Sequence, residues 1–200
     1  GSNSLAAQDA GADAYNIAIG HNAGTSVTTG STNTIIGGLA GDALTVGSEN
    51  VAIGDLALSA DTQGSRSVAI GRAALDAQNF SSATNAYNTA VGYDAGGSIT
   101  TGQKNTLVGG LAGDALTDAD TNVAVGYIAL SADTLGSGST AVGNGALRDQ
   151  NFSSATTTYN TAVGFQAGLS VTTGERNTFV GGLAGDALTD ADRNVAIGHG

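Results

Sequence analysis

One short pattern of apolar and polar positions recurs along the whole chain. It reads Asn-[Ile/Val/Thr]-Ala-[Ile/Val]-Gly in its commonest form, with Ser in place of Asn at two openings. The openings are Asn16, Asn33, Asn50, Ser67, Asn88, Asn105, Asn122, Ser139, Asn160, Asn177 and Asn194. Successive openings are 17, 17, 17 and 21 residues apart, and this series then repeats, so a higher-order period of 72 residues follows. Such internal periodicity is typical of a solenoid.

Each unit has fixed positions, which we number from its opening Asn or Ser. Position 4 is always Ile or Val, position 5 is always Gly, and position 8 is Ala in every complete unit. Positions 2 and 4 share one face of a short strand, and the mostly Ala position 3 lies on the other face, where something can pack closely. Gly at position 5 and near position 15 suits tight corners. The unit therefore predicts one coil made of a strand, a corner, a short second strand and a corner.

The fold class predicted is all-β, a parallel β-solenoid with about 17 residues per coil, and strands of successive coils should pair about 4.8 Å apart. The organisation predicted is one continuous solenoid. It comprises a partial repeat over residues 1–15, super-repeats over 16–87 and 88–159, and a partial super-repeat over 160–200. The opening Gly1-Ser2 is typical of a cloning remnant.

Composition favours association between chains. Gly contributes 32 of 200 residues, aromatic residues are only 4%, and much of the 40% apolar content is Ala. Such a chain has little large apolar surface to bury on its own. We therefore expect either a repetitive stack or a core shared between chains, and predict a homotrimer.

Charge and hydropathy exclude several partners. The net charge is −11, and the six cationic residues are scattered along the sequence, so we expect no nucleic-acid ligand. No apolar run approaches the length of a membrane span, so we expect no membrane insertion. Cys is absent, which excludes disulfides and says nothing about compartment.

The iterated unit, with its VAIG strand followed by G-x-x-A, resembles the repeats of phage tail-fibre proteins. It is also similar to the head repeats of trimeric autotransporter adhesins, which carry the same VAIG strand in a shorter coil. The resemblance covers Asn16 to the C-terminus. It implies three chains wound into a left-handed parallel β-roll with a shared core, in a fibre on a virion tail or an extracellular surface. The four-residue expansion of every fourth coil departs from the adhesin heads.

Candidate chemistry is sparse, and we expect no catalytic residues and no cofactor. His21 and His199 both occupy position 6 but lie ten coils apart, and neither has a repeat-linked Ser and Asp for a triad. Carboxylates spaced at i and i+2 can bind Ca²⁺. The weak calcium candidates are Asp114, Asp118, Asp120, Asp186, Asp190 and Asp192. The corresponding corner of the first super-repeat, TVGSEN, lacks the last two carboxylates of each set, which favours solvated acidic corners instead.

The expansions NFSSATNAY (79–87) and NFSSATTTY (151–159) are the most individual segments. Extra residues cannot enter a stack without shifting its register, so we expect them to bulge outward at one azimuth. Aromatic residues on protruding loops can stack on sugars. The ligand-binding candidates are Phe80, Tyr87, Phe152 and Tyr159. The alternative is that these loops fold back and the aromatic residues cover the coil edges.

The function expected from the sequence is structural. The chain is interpreted as a rod segment of a trimeric fibre, a virion tail fibre or an extracellular surface adhesin. Such a rod spaces or presents a region that binds a cell-surface glycan or receptor. The alternative is a monomeric β-helix that binds a ligand, either ice through its Thr-rich segments or a glycan linked by Ca²⁺.

Overall fold

A computed structural model describes all 200 residues, and it is an all-β solenoid of eleven coils without helices. Fifteen short strands form it. They are β1 Ile17–Ile19, β2 Thr34–Ile36, β3 Val51–Ile53, β4 Gly64–Ser65, β5 Val68–Ile70, β6 Thr84–Asn85, β7 Thr89–Val91, β8 Thr106–Val108, β9 Val123–Val125, β10 Gly136–Ser137, β11 Thr140–Val142, β12 Thr156–Thr157, β13 Thr161–Val163, β14 Thr178–Val180 and β15 Val195–Ile197.

The main sheet has eleven strands in the order β1-β2-β3-β5-β7-β8-β9-β11-β13-β14-β15. Every neighbouring pair is parallel and aligned at equivalent positions, as in the pairing of Ile53 with Ile70. The pairing stays in phase across an expanded coil, where Ile70 aligns with Val91. At about 4.8 Å per strand the rod is roughly 50 Å long. The predicted fold class and coil length are confirmed.

The predicted second strand is wrong for most coils. Strands outside the main sheet occur only beside the two expansions, where β4 pairs with β6 and β10 pairs with β12. Elsewhere the return path of the coil consists of turns and bends. Its backbone groups still bond to the next coil, as when Thr28 N donates to Thr45 O at 2.9 Å. The stack therefore holds together without a regular second sheet.

Position 3 points into the core, and positions 2 and 4 point outward. Ala52, at position 3, is fully buried, whereas its neighbours Val51 and Ile53 are partly exposed. A continuous cluster of 29 buried residues runs through the coils of this single chain. The expectation that one chain would lack a sufficient core is therefore wrong, because coils stacked above and below seal one another.

The core alternates two ways of filling its space. At position 3 of the tenth coil, Phe179 is fully buried, and position 9 of that coil is Gly185. A Cβ on Gly185 would lie 2.4 Å from a carbon of the Phe179 ring, so the glycine makes room for the ring. In the third coil the sizes are exchanged, with Ala52 at position 3 and Leu58 at position 9. Large and small residues thus complement one another within each coil.

Glycine at position 5 is required by two separate constraints. Its φ lies between 129° and 145° at every coil, a region that side chains with a Cβ avoid. A Cβ on Gly109 would also lie 2.4 Å from the carbonyl oxygen of Gly126 in the next coil. The invariant glycine therefore fixes both the corner and the close approach of successive coils.

A ladder of buried Asn side chains at position 1 satisfies the backbone at the start of each coil. Asn105 Oδ1 accepts a hydrogen bond of 2.9 Å from Asn122 N in the next coil. Its Nδ2 donates to Ala119 O, 2.8 Å away, near the end of its own coil. Each Asn in the ladder thus closes one coil and ties it to its neighbour, which pairs backbone groups that would be costly to bury alone.

The ladder changes partners where a coil is expanded, because Ser67 replaces Asn there. The side chain of Gln78 completes the connection. Its Nε2 donates to Ser67 Oγ at 3.1 Å and to Asp61 Oδ2 at 2.6 Å, and its Oε1 accepts from Asn88 Nδ2 at 2.8 Å. All four side chains are buried. The added loop residues 81–83 are exposed, so the expansion bulges outward as expected.

Candidate interaction face

One side of the main sheet forms a flat strip that we call the outer face. It consists of positions 2, 4 and 6 of each coil together with the residue immediately before the opening Asn or Ser, the last position of the preceding coil. Because side chains alternate along a strand, these positions project to one side while positions 1 and 3 project inward. Tyr87, Thr89, Val91 and Tyr93 form one such row. The outer face has eleven rows, one for each strand of the main sheet.

Exposed apolar side chains concentrate on the outer face. Of the thirteen large hydrophobic side chains that are exposed, twelve lie there, and Val46 is the single exception. The centre of the strip is an unbroken column of Ile and Val at position 4 beside a column of Val, Thr and Ile at position 2. A contiguous exposed apolar strip of this kind marks an interaction surface.

Aromatic rings line both edges of the outer face. Tyr15, Tyr87 and Tyr159 occupy last positions, and Tyr93, Tyr127 and Phe165 occupy position 6. Two of these rings contact an arginine one coil earlier in the same column. The guanidinium carbon of Arg66 lies 5.7 Å from the centre of the Tyr87 ring, and that of Arg72 lies 5.8 Å from the centre of the Tyr93 ring. These contacts hold the two rings in defined stacks along the edges.

Charge is segregated between the outer face and the rest of the molecule. The outer face carries five of the six cationic residues and only two of the seventeen acidic residues, Glu49 and Asp55, which gives it a net charge of +3. The remainder of the chain carries −14. The cations are therefore not scattered, because residues 17 or 21 apart in sequence become neighbours in the stack. The five are Arg66, Arg72, Lys104, Arg176 and Arg193.

Some of these cations are paired within the chain. Arg66 bridges Glu49 at 3.1 Å and donates to the Tyr87 hydroxyl at 2.8 Å, whereas Arg72 lies 3.6 Å from Asp55. All these groups are substantially exposed to solvent, so each pair contributes little to the stability of the fold. Their arrangement orders the edges of the outer face instead.

The loop aromatics that the sequence suggested as ligand-binding residues divide into two classes. Phe80 and Phe152 are only 4% and 6% exposed, so they do not protrude and offer no stacking surface. Their backbone nitrogens donate to the buried carboxylates of the preceding coil, as Phe152 N does to Asp133 at 3.2 Å. These bonds draw the start of each expansion inward. Tyr87 and Tyr159 are exposed, and they belong to the outer face rather than to the loop tips.

The acidic corners are organised by hydrogen bonds within the protein. Asp118 Oδ1 accepts from the hydroxyls of Thr100 and Thr101, each 2.7 Å away, which lowers the pKa of Asp118. Asp120 accepts from Gln103 N at 2.7 Å.

The remaining calcium candidates are not gathered around a common point. Asp192 accepts from Glu175 N at 2.8 Å, and Asp190 accepts from Thr189 at 3.2 Å. The carboxylate of Asp186 makes no hydrogen bond. One oxygen of Asp114 is buried without a partner, and burial raises the pKa of this carboxyl group. No three carboxylate or imidazole groups lie together as metal ligands.

The remaining surface is convex. The structure contains no pocket, and His21 and His199 are exposed at opposite ends of the position 6 column. No helix long and apolar enough to cross a bilayer is present. Comparison of the chain with protein-family models, curated proteins and solved structures gives no match. The outer face is therefore the feature from which a function has to be argued.

Proposed function

We propose that the chain is a rod segment of a homotrimeric fibre, in which the outer faces of three copies pack together around a common axis. The fibre is an extracellular surface filament or a virion tail fibre, and the rod spaces or presents a region that attaches to a cell-surface glycan or receptor. The observation that carries the proposal is the confinement of twelve of thirteen exposed large hydrophobic side chains to one face.

The shape of the molecule supports a spacing role. Equivalent parallel pairings between all neighbouring strands give a straight rod whose length grows by about 4.8 Å with each coil. Such a stack depends only on contacts between nearest neighbours and can be extended without a change of design. The −14 charge on the remaining surface keeps the other sides of neighbouring rods apart and solvated.

The size of the outer face also supports association. A strip about 50 Å long and at least two side chains wide presents on the order of 500–1,000 Å² per copy, by the strand spacing and rise. Specific stable interfaces bury about 800 Å² per partner. Because a closed ring with cyclic symmetry joins different edges of the same strip, no apolar strip is left exposed.

Solution mass tests the proposal. Light scattering after size exclusion should give three times the chain mass of 19.3 kDa. The double variant Val163→Lys/Val180→Lys places charges on the outer face and should dissociate the trimer into folded monomers. Val46→Lys is the matched control, because Val46 is 40% exposed, close to the 38% of Val163 and 39% of Val180, but lies off this face.

The outcomes separate clearly. A parent protein that is a stable monomer contradicts the trimer and favours a monomeric ligand-binding solenoid. Equal dissociation by the Val46→Lys control means that the outer face is not the interface. Far-UV circular dichroism of each variant shows whether the β-solenoid survives.

A further inference from the structure

The two edges of the outer face carry different sequences of side chains. In a parallel assembly with cyclic symmetry, the last-position edge of one copy meets the position 6 edge of the next copy. The last-position column reads Tyr, Thr, Glu, Arg, Tyr, Lys, Thr, Gly, Tyr, Arg, Arg from residue 15 to residue 193. The position 6 column reads His, Gly, Asp, Arg, Tyr, Gly, Tyr, Asn, Phe, Gly, His from residue 21 to residue 199. Their relative height decides which side chains meet.

Alignment of the two columns at the same row is unfavourable. It sets Glu49 against Asp55 and Arg66 against Arg72, which are like-charge pairs. It also sets Tyr87 against Tyr93 at an edge where both columns carry bulky side chains. Alignment with the preceding row removes the repulsion, but it leaves the three tyrosines without a common type of partner.

Alignment with the following row, 23 residues later in sequence, gives complementary pairs along the edge. Glu49 meets Arg72, and Lys104 meets the Tyr127 ring, an ion pair and a cation–π pair. Every tyrosine of the last-position column meets a glycine. These pairs are Tyr15 with Gly38, Tyr87 with Gly110, and Tyr159 with Gly182. The 72-residue period preserves this match in all three super-repeats.

The glycines at position 6 are not required by the backbone of their own chain. Unlike the glycine at position 5, Gly110 does not have a positive φ. A Cβ there would make an ordinary contact of 3.6 Å with the Tyr127 ring, and a Cβ on Gly182 would lie 3.9 Å from the ring of His199. Space for a side chain is therefore available within the monomer. A ring approaching from outside gives these glycines a purpose.

From these pairs we infer that the fibre assembles with a stagger of one row, in which the last-position edge of each copy packs against the position 6 edge of its neighbour one coil further along. The partner at this surface is a second copy of the chain in parallel orientation. The inference rests on the proposed trimer and adds the residues that set its register. Tyr15, Tyr87 and Tyr159 insert their rings above the glycines of the neighbouring copy.

Engineered disulfides test the stagger directly, because the natural sequence contains no Cys. The double variant Tyr87→Cys/Gly110→Cys joins residues that the inferred stagger brings together. Tyr87→Cys/Tyr93→Cys reports alignment at the same row, and Tyr87→Cys/Arg72→Cys reports the opposite stagger. The two edges of one chain are about 20 Å apart, since six residues of extended chain separate them. A disulfide needs Cα atoms within about 7 Å, so a bond within one chain is excluded.

Oxidised samples are compared on non-reducing gels. The pair at positions 87 and 110 should convert most of the protein into covalent trimers that disappear on reduction, and the other two pairs should leave mostly single chains. Preferential cross-linking of either control pair overturns the one-row stagger. A parent protein that is trimeric by light scattering but forms no cross-link with any pair refutes contact between these edges. A monomeric parent instead refutes the proposed trimer itself.

Discussion

The side-chain nitrogen of Gln150 donates a hydrogen bond of 2.5 Å to the buried carboxylate of Asp133, one coil earlier. The other oxygen of Asp133 accepts from Gly136 N at 3.0 Å and from Phe152 N at 3.2 Å. No cation contacts this carboxylate, although both side chains are fully buried. Each expansion of the solenoid is therefore built over a buried acid that is held by neutral donors.

The first prediction concerns pH. Burial raises the pKa of Asp133 above its ordinary value of 3.8, so the folded chain binds this proton more tightly than the unfolded chain. The stability that this proton contributes is present in full below pH 3.8 and is lost as pH rises through the raised pKa. The loss is about 1.4 kcal/mol for each pH unit that separates the folded-state pKa from the unfolded-state pKa. Urea unfolding of Asp133→Asn should lack this contribution, so the difference in stability between variant and parent should depend on pH.

Asp118 provides a control of opposite sign. Hydroxyl donors lower the pKa of Asp118, so its contribution is present above pH 3.8 and is lost as pH falls through the lowered value. Asp118→Asn should therefore cost stability at neutral pH and little in strong acid. Parallel pH profiles for the two variants would contradict this assignment.

The second prediction compares two adjacent glycines. Gly109→Ala should destabilise the solenoid by about 2–5 kcal/mol, because it combines a strained positive φ with a clash against the next coil. Gly110→Ala should change the stability of the fold by less than about 1 kcal/mol, since its Cβ has room. Chemical denaturation of both variants under conditions that keep the chain monomeric measures the difference. Equal losses would mean that the corner geometry does not demand glycine.

The third prediction tests the complementary filling of the core. Phe179→Ala should cost about 3–5 kcal/mol by opening a cavity. Gly185→Leu should also destabilise, because a Cβ there already lies 2.4 Å from the Phe179 ring. The double variant reproduces the Ala52 and Leu58 arrangement of the third coil and should recover at least half of the summed loss. Simple additivity in this double-mutant cycle would show that the two positions do not share one space.

The fourth prediction concerns the Asn ladder. Asn105→Ala removes the acceptor for Asn122 N and the donor to Ala119 O, and both backbone groups are then buried without a partner. We expect a loss of about 2–5 kcal/mol in the free energy of unfolding. Asn144→Ala is the control, because Asn144 is exposed on the outer face, and it should be nearly neutral for the fold. A loss below about 1 kcal/mol for Asn105→Ala would argue against the ladder.

The fifth prediction separates the two kinds of aromatic residue at the expansions. Phe152→Ala should lower the melting temperature, since its ring is buried and its truncation costs about 2–4 kcal/mol. Tyr159→Ala should leave the monomer fold unchanged and weaken association instead. Thermal melting and light scattering of the two variants distinguish these effects. A Tyr159→Ala variant that melts as early as Phe152→Ala would show that Tyr159 is a packing residue of the single chain.

The sequence by itself determined the period, the location of the main strands and the corners of the coil. Asn at position 1, Ile or Val at position 4 and Gly at position 5 recur at fixed intervals, and only a stack of equivalent coils satisfies such a repeat. The outward bulge of residues 81–83 also followed, because added residues cannot enter a stack that stays in register.

Only the tertiary structure decided which side of the strand is the inside. Alternation defines two faces but does not say which is buried, and the narrow coil admits mainly Ala at position 3 while Ile and Val at position 4 remain outside. Winding of the chain brought Arg66 and Tyr87 into one column although 21 residues separate them. It likewise buried Phe80 and exposed Tyr87 within one short loop, because Phe80 N bonds to the buried Asp61. These outcomes depend on contacts between coils, and such contacts exist only after the stack has formed.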